Sequence, residues 1–181
     1  MYDFIFPHWS NDGLLTSAGA ERRTRARGPH FTAAELDELL TLWRPLRPIW
    51  VAHDAHSLRL TTPAGEGVTI AREGLGMRSP GTINHSYMRL AALHAARYWG
   101  GERRVSGADE FRLWGRAYGD VYGVVTYDPG YLSPDLEARL PAMRAQVRAM
   151  HPDAPPDRPN EAATIAAAYA RRFPFAIPRA A

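Results

Sequence analysis

His53-Asp54-Ala55-His56 is the tightest grouping of metal-ligand and acid–base side chains in the chain. Two imidazoles and a carboxylate this close can hold a divalent cation or pass a proton. The spacing matches no zinc signature, and no other cluster offers further ligands. The reading it favours is a polar turn between two strands, with no metal and no cofactor. His53, Asp54 and His56, together with His85, remain the candidates for an enzyme with a histidine–acid site. Serine, histidine and aspartate never stand in a nucleophile motif such as G-x-S-x-G. There is no cysteine, which excludes thiolate catalysis, disulfides and cysteine-ligated zinc. No residue is therefore assigned as catalytic. Gly74 and Gly76 suggest G-x-G, but Gly81 follows five residues after Gly76, and the third glycine of a dinucleotide fingerprint is missing.

Anion binding is the second chemistry. All 22 basic residues are arginine. A guanidinium favours planar contacts with phosphate and carboxylate. Arg22-Arg23-Thr24-Arg25-Ala26-Arg27 is the densest charge run. Such a run can track a phosphate backbone, or it can be a solvated segment. Arg103-Arg104 adds a basic pair further on. The expected nucleic-acid or partner interface is thus Arg22, Arg23, Arg25, Arg27, Arg103 and Arg104. A formal charge of +3 permits a basic patch without requiring one.

The elements that must position these residues read as follows. Thr32 and Glu35 form a capping box, and Phe31 and Leu36 a hydrophobic staple, for a helix over 32–44. Leu36, Leu39, Leu40 and Trp43 keep one face of it, and Pro45 ends it. Residues 49–51, 57–61 and 68–71 are short β-branched runs, the last two joined by a turn at 63–67. Residues 73–78 read as a loop. Ser79 and Pro80 suit the start of a helix whose stripe is Tyr87, Leu90, Ala91, His94 and Tyr98, with Gly100 as its left-handed cap. His94 on that stripe reads as a core or boundary histidine. Residues 103–105 then form a strand, Ser106 to Gly119 a helix and 121–127 a strand. Strand, helix, strand with short loops implies a crossover between parallel strands. Ser133-Pro134-Asp135 starts a last core helix, with Leu136, Leu140, Met143, Val147 and Met150 along a narrow seam.

The predicted fold class is α/β (α+β): a small mixed sheet with an N-terminal hairpin portion followed by β-α-β units, helices packed on the sheet. Residues 1–31 read as an irregular N-terminal arm, 32–150 as a single core domain and 151–160 as a proline-rich linker. Residues 161–181 read as a C-terminal helix and apolar tail. At 181 residues the chain can bury a core unaided. No apolar run approaches a membrane span, and Met1–Ser10 lacks the pattern of a secretory leader. No membrane partner and a cytoplasmic location are the expectations.

Leu90-Ala91-Ala92-Leu93-His94-Ala95-Ala96-Arg97-Tyr98-Trp99-Gly100-Gly101, followed by Val105-Ser106-Gly107-Ala108-Asp109-Glu110-Phe111, resembles the seventh large polyvalent-protein-associated domain. That module accompanies relaxases and polyvalent proteins of conjugative elements and phages. The family pattern has an alanine-rich helix ending in Trp-Gly-Gly, a short strand, Gly-Ser, and an acid followed by Phe. The resemblance covers residues 49–148. It departs after Phe111, where Trp114, Tyr118 and Gly119-Asp120 replace a second alanine-rich helix. It implies a mobile-element origin and an accessory role, and it implies no catalytic residues. Three function classes follow. The first is a non-enzymatic interaction module binding nucleic acid or a nucleoprotein complex. The second is a free-standing, anti-CRISPR-like inhibitor of a host nuclease complex. The third is a small enzyme with a His/Asp site.

Overall fold

The computed structural model describes residues 13–17, 31–72, 74–78, 82–128, 130 and 132–156. Alternation along the strands decides which side of the sheet carries the core. In β3 (Ser57–Thr61) Leu58 and Leu60 point inward, in β4 (Gly67–Ala71) Val68 and Ile70, and in β5 (Gly74–Arg78) Leu75 and Met77. Leu15 of β1 (Gly13–Ser17) and Val105 of β6 (Glu102–Gly107) continue that face. β2 (Trp50–His53) and β7 (Val125–Tyr127) close the two ends of the sheet. Among the described residues the sheet has seven strands in the order β2-β3-β4-β5-β1-β6-β7. All neighbours are antiparallel except β6 and β7, which run parallel around an intervening helix.

The helices supply the other half of the core. α1 (Ala33–Trp43) begins at the capping box: the Glu35 amide donates to Thr32 Oγ1 at 3.2 Å, and the Thr32 amide donates to Glu35 Oε2 at 2.8 Å. α2 (His85–Tyr98) lays Tyr87, Met88, Leu90, Ala91 and Ala95 on the sheet, where its alanines allow close approach. α3 (Asp109–Tyr122) buries Phe111, Leu113, Trp114 and Tyr118. α4 (Pro134–Glu137) is capped by Ser133, as its sequence predicts. α5 (Leu140–Met150) packs its Leu140, Met143 and Val147 seam against α3. The fold is mixed α+β, as expected, and the parallel β6–α3–β7 unit is present.

Five boundaries differ from the sequence reading. Residues 13–17, expected in an irregular arm, form β1 in the interior of the sheet, between β5 and β6. Its five residues contain a single β-branched side chain, so strand propensity is weak and pairing on both edges decides. Residues 74–78, expected as a loop, form β5, with Gly74 and Gly76 facing β1 and β4. α2 is capped by Asn84, whose Oδ1 accepts from the Tyr87 amide at 2.9 Å, and not by Ser79. β6 runs on through Gly107, so α3 starts at Asp109, passes Gly119 and is capped after Tyr122 by Gly123 in the left-handed region (φ 72). Residues 151–156, expected as a linker, are a packed turn. The His151 amide donates to Val147 O at 3.1 Å, and the Ala154 amide to His151 O at 2.9 Å. The expected helix and tail after residue 160 lie outside the described residues.

Candidate functional site

The His53–His56 turn is held by its aspartate. Asp54 Oδ1 accepts from the His56 amide at 2.7 Å and the Ser57 amide at 2.8 Å. These bonds hold its carboxyl below the usual carboxylate range. The carboxylate therefore caps the β2–β3 turn, which is the side-chain mimic of a backbone turn common for aspartate. His53 and His56 are exposed on either side of it. Among the described residues no group of three or more histidine, aspartate or glutamate side chains is arranged to hold a metal.

His85 lies elsewhere. Its ring is edge-on to Trp114 at 4.5 Å and faces Tyr118 at 6.1 Å. Tyr118 Oη is 3.2 Å from His85 Nδ1 and 2.7 Å from His151 Nε2. Tyr122 stacks on Tyr118 with an interplanar angle of 4°. Arg89 borders the group and pairs with Asp153 at 2.6 Å. Burial pulls both imidazoles below the ordinary histidine value, and Arg89 adds to the effect at His151. Burial pushes the Tyr118 phenol up. The chain His85–Tyr118–His151 can exchange a proton along two hydrogen bonds. Tyr118 and His151 were not singled out by sequence. Tyr118 stood on a buried stripe, and His151 stood beside Pro152 at a helix end.

The expected arginine interface is divided by the structure. Arg22, Arg23, Arg25 and Arg27 lie outside the described residues, between Ser17, which pairs with Arg103, and Phe31, whose amide donates to Ala55 O at 2.9 Å. Arg104 is exposed. Arg103 corrects the reading: it is fully buried, with Nη2 donating to Gly115 O at 2.5 Å and Nε to Thr126 Oγ1 at 3.2 Å. It points to α3 and is not available to a partner. Strand alternation sends neighbouring residues to opposite faces, which is why the pair separates.

The helix arginines are largely consumed in ion pairs. Arg97 pairs with Glu38 at 3.2 Å, Arg116 with Glu137 at 2.9 Å, Arg139 with Glu110 at 3.0 Å and Arg144 with Asp120 at 2.8 Å. Arg112 lies between Asp109 and Asp128, 2.8 Å from each. Exposed Arg44, Arg47 and Arg104 make no ion pair among the described residues. Arg44 opens the 3-10 turn Arg44–Leu46 that leads into β2, and Arg47 follows it. No sequence motif pointed to them, because Pro45 and Pro48 break every periodic pattern there.

No family model matches the chain, and no curated protein or solved structure matches it either.

Proposed function

We propose that this chain is a non-enzymatic interaction module of a mobile genetic element, acting in the cytoplasm on nucleic acid or a nucleoprotein complex. The observation that carries the reading is the distribution of arginine. Carboxylates neutralise the helix arginines, while Arg44, Arg47 and Arg104 stand in solvent with no ion pair among the described residues. The run at Arg22–Arg27 lies outside the described residues and adds four arginines in the sequence. Arginines left without a carboxylate offer their full charge to phosphates. The resemblance of residues 90–111 to a relaxase-associated module supports the same reading. No helix of the described residues is long and apolar enough to cross a membrane.

The test is anisotropy with labelled single- and double-stranded DNA and RNA across a salt series. Affinity should fall steeply with salt, and the slope should flatten in a variant with Arg22, Arg23, Arg25 and Arg27 changed to alanine. Absence of binding at low salt would sink the reading and move the search to protein targets such as host nuclease complexes.

A further inference from the structure

Among the described residues β2 is the outermost strand on one side of the sheet, and Ile49 just before it and Trp50 and Val51 within it are exposed apolar positions. Ile49 is 70% exposed, Trp50 53% and Val51 41%. An edge strand normally carries a charge or a proline to discourage contact. Trp50 to His53 has neither, and its indole is the largest apolar side chain left in solvent among the described residues.

One cation neighbours that indole across the strand pair. Arg59 is opposite Ala52 in the β2–β3 register, and Trp50 is opposite Thr61. Trp50 and Arg59 are therefore diagonal neighbours on one face, with Cα atoms roughly 7–8 Å apart. Arg59 touches Asp54 at 3.5 Å, yet its side chain remains 59% exposed, so the pairing neutralises it little. Arg44 and Arg47 stand six and three residues before Trp50, in and just after the turn that leads into the strand, and both are exposed.

That turn holds Arg47 in an unusual conformation. Arg47 has φ 51 and ψ 53, the only non-glycine residue with positive φ among those described. An L-residue other than glycine, asparagine or aspartate enters this region at a cost. The surrounding contacts fix it there. The Arg47 amide donates to Arg44 O at 2.9 Å, Leu46 before it is buried, Pro48 follows, and the Ile49 amide donates to Thr61 O at 2.9 Å. Glycine would remove the strain, but it would also remove an exposed cation three residues before Trp50.

We propose that this end of the sheet is a binding site for single-stranded nucleic acid, one base stacking on Trp50 and the flanking phosphates meeting Arg44, Arg47 and Arg59. The assignment rests on the nucleic-acid reading above and names the site and the strand class. Three exposed guanidiniums, of which only Arg59 touches a carboxylate, Asp54, favour a polyanion. A flat exposed indole selects an unpaired base, because a duplex hides its base faces in the stack. Base–aromatic stacking is sequence-tolerant, so little preference among bases is expected.

The experiment is fluorescence anisotropy of the full chain with a labelled single-stranded 12-mer, the matching duplex and polyglutamate, for wild type, Trp50→Ala and Arg47→Gly. Thermal melts run alongside. Arg47→Gly relieves backbone strain and Trp50 is solvent-exposed, so both variants should melt no lower than wild type. Single strand should bind wild type more tightly than duplex or polyglutamate. Trp50→Ala should weaken single-strand binding about 10-fold, within the range for one stacked base. Arg47→Gly should weaken it several-fold and flatten the salt slope by about one phosphate contact. Wild-type binding with both variants unaffected overturns this site and leaves the general reading standing. Equal affinity for polyglutamate overturns the stacking role. No binding of wild type to any nucleic acid removes both.

Discussion

Tyr118 Oη lies 2.7 Å from His151 Nε2, and the same oxygen lies 3.2 Å from His85 Nδ1. One hydroxyl thus joins the first residue of α2 to the residue after α5. A phenol has one proton to donate. With both imidazoles neutral, one nitrogen accepts that proton and the other donates its own N–H to the phenol oxygen. A first added proton fits this pattern. A second makes both imidazoles donors, leaves the phenol proton without an acceptor, and sets two cations beside Arg89, with Asp153 the nearest carboxylate. Both histidines have folded values held below 6.5. Their contribution to stability is therefore full above the unfolded value and is lost as pH falls below it. Tyr118→Phe should cost about 1 kcal/mol at pH 7. Its deficit against wild type should shrink as acidification adds the second proton. Urea unfolding over a pH series downward from 7 checks this. A deficit that is constant with pH would contradict the one-proton arrangement.

His94 should give a larger pH term from a different cause. Trp43 Nε1 donates to His94 Nδ1 at 3.4 Å, and the ring lies edge-on to Trp99 at 5.1 Å. Burial pulls its pKa from 6.5 down to about 3. Between those values the unfolded chain takes up a proton that the fold refuses. Stability is complete above 6.5 and declines as pH falls, by roughly 2 kcal/mol between pH 7 and pH 5. His94→Gln keeps an acceptor for the indole and removes the titration. Its unfolding free energy should lose less on acidification than that of wild type. Identical losses in the two proteins would show that His94 protonates without opening the fold.

Gly119 is predicted to tolerate no side chain. It lies in the last turns of α3, where the helix returns to β7, and the Val124 amide donates to its carbonyl at 2.7 Å. A Cβ there would overlap Thr126 Oγ1 and come within 2.8 Å of the Val124 carbonyl oxygen. The second neighbour is backbone and cannot rotate away. Gly119→Ala should lower stability by about 1–3 kcal/mol despite alanine's better helix propensity. Gly123→Ala is the control: open space surrounds it, and only its left-handed φ of 72 is penalised. Melting curves that rank the two in the opposite order would refute the packing argument.

How far the sequence reached depends on which force decides each element. α1 and α4 were legible because side-chain caps act locally, through Thr32, Glu35 and Ser133. The β3–β4 hairpin and the parallel β6–β7 pair were legible from alternation and loop length. β1 and β5 were not, since Gly13–Ser17 and Gly74–Arg78 carry little strand propensity and are strands because each completes the other's ladder. The start of α2 was misplaced because Ser79-Pro80 has the local chemistry of a cap. Asn84 wins because Glu66, buried in the β3–β4 turn, accepts from its amide group. The candidate site was less legible still. His85 was singled out, but its partners come from distant helices. Arg47 and Trp50 gain their meaning only from exposure and a backbone angle.

Arg103 provides the test that separates buried from exposed arginine. No carboxylate contacts it. Its guanidinium donates to the Gly115 carbonyl of α3, and an added Cβ at Gly115 would press on Val105 at 3.0 Å. Burial lowers its pKa to about 10, so it remains charged at neutral pH at a desolvation cost. An unbranched apolar side chain of similar length removes that cost and fills the same space. Arg103→Met should therefore be within about 1 kcal/mol of wild type, or more stable. Arg103→Ala leaves a cavity and should lose about 2–5 kcal/mol. Neither change should alter the salt dependence of nucleic-acid binding, whereas Arg104→Ala should reduce it. If Arg103→Met weakened binding while melting like wild type, the guanidinium would have to reach solvent in solution, and its assignment to the core would be wrong.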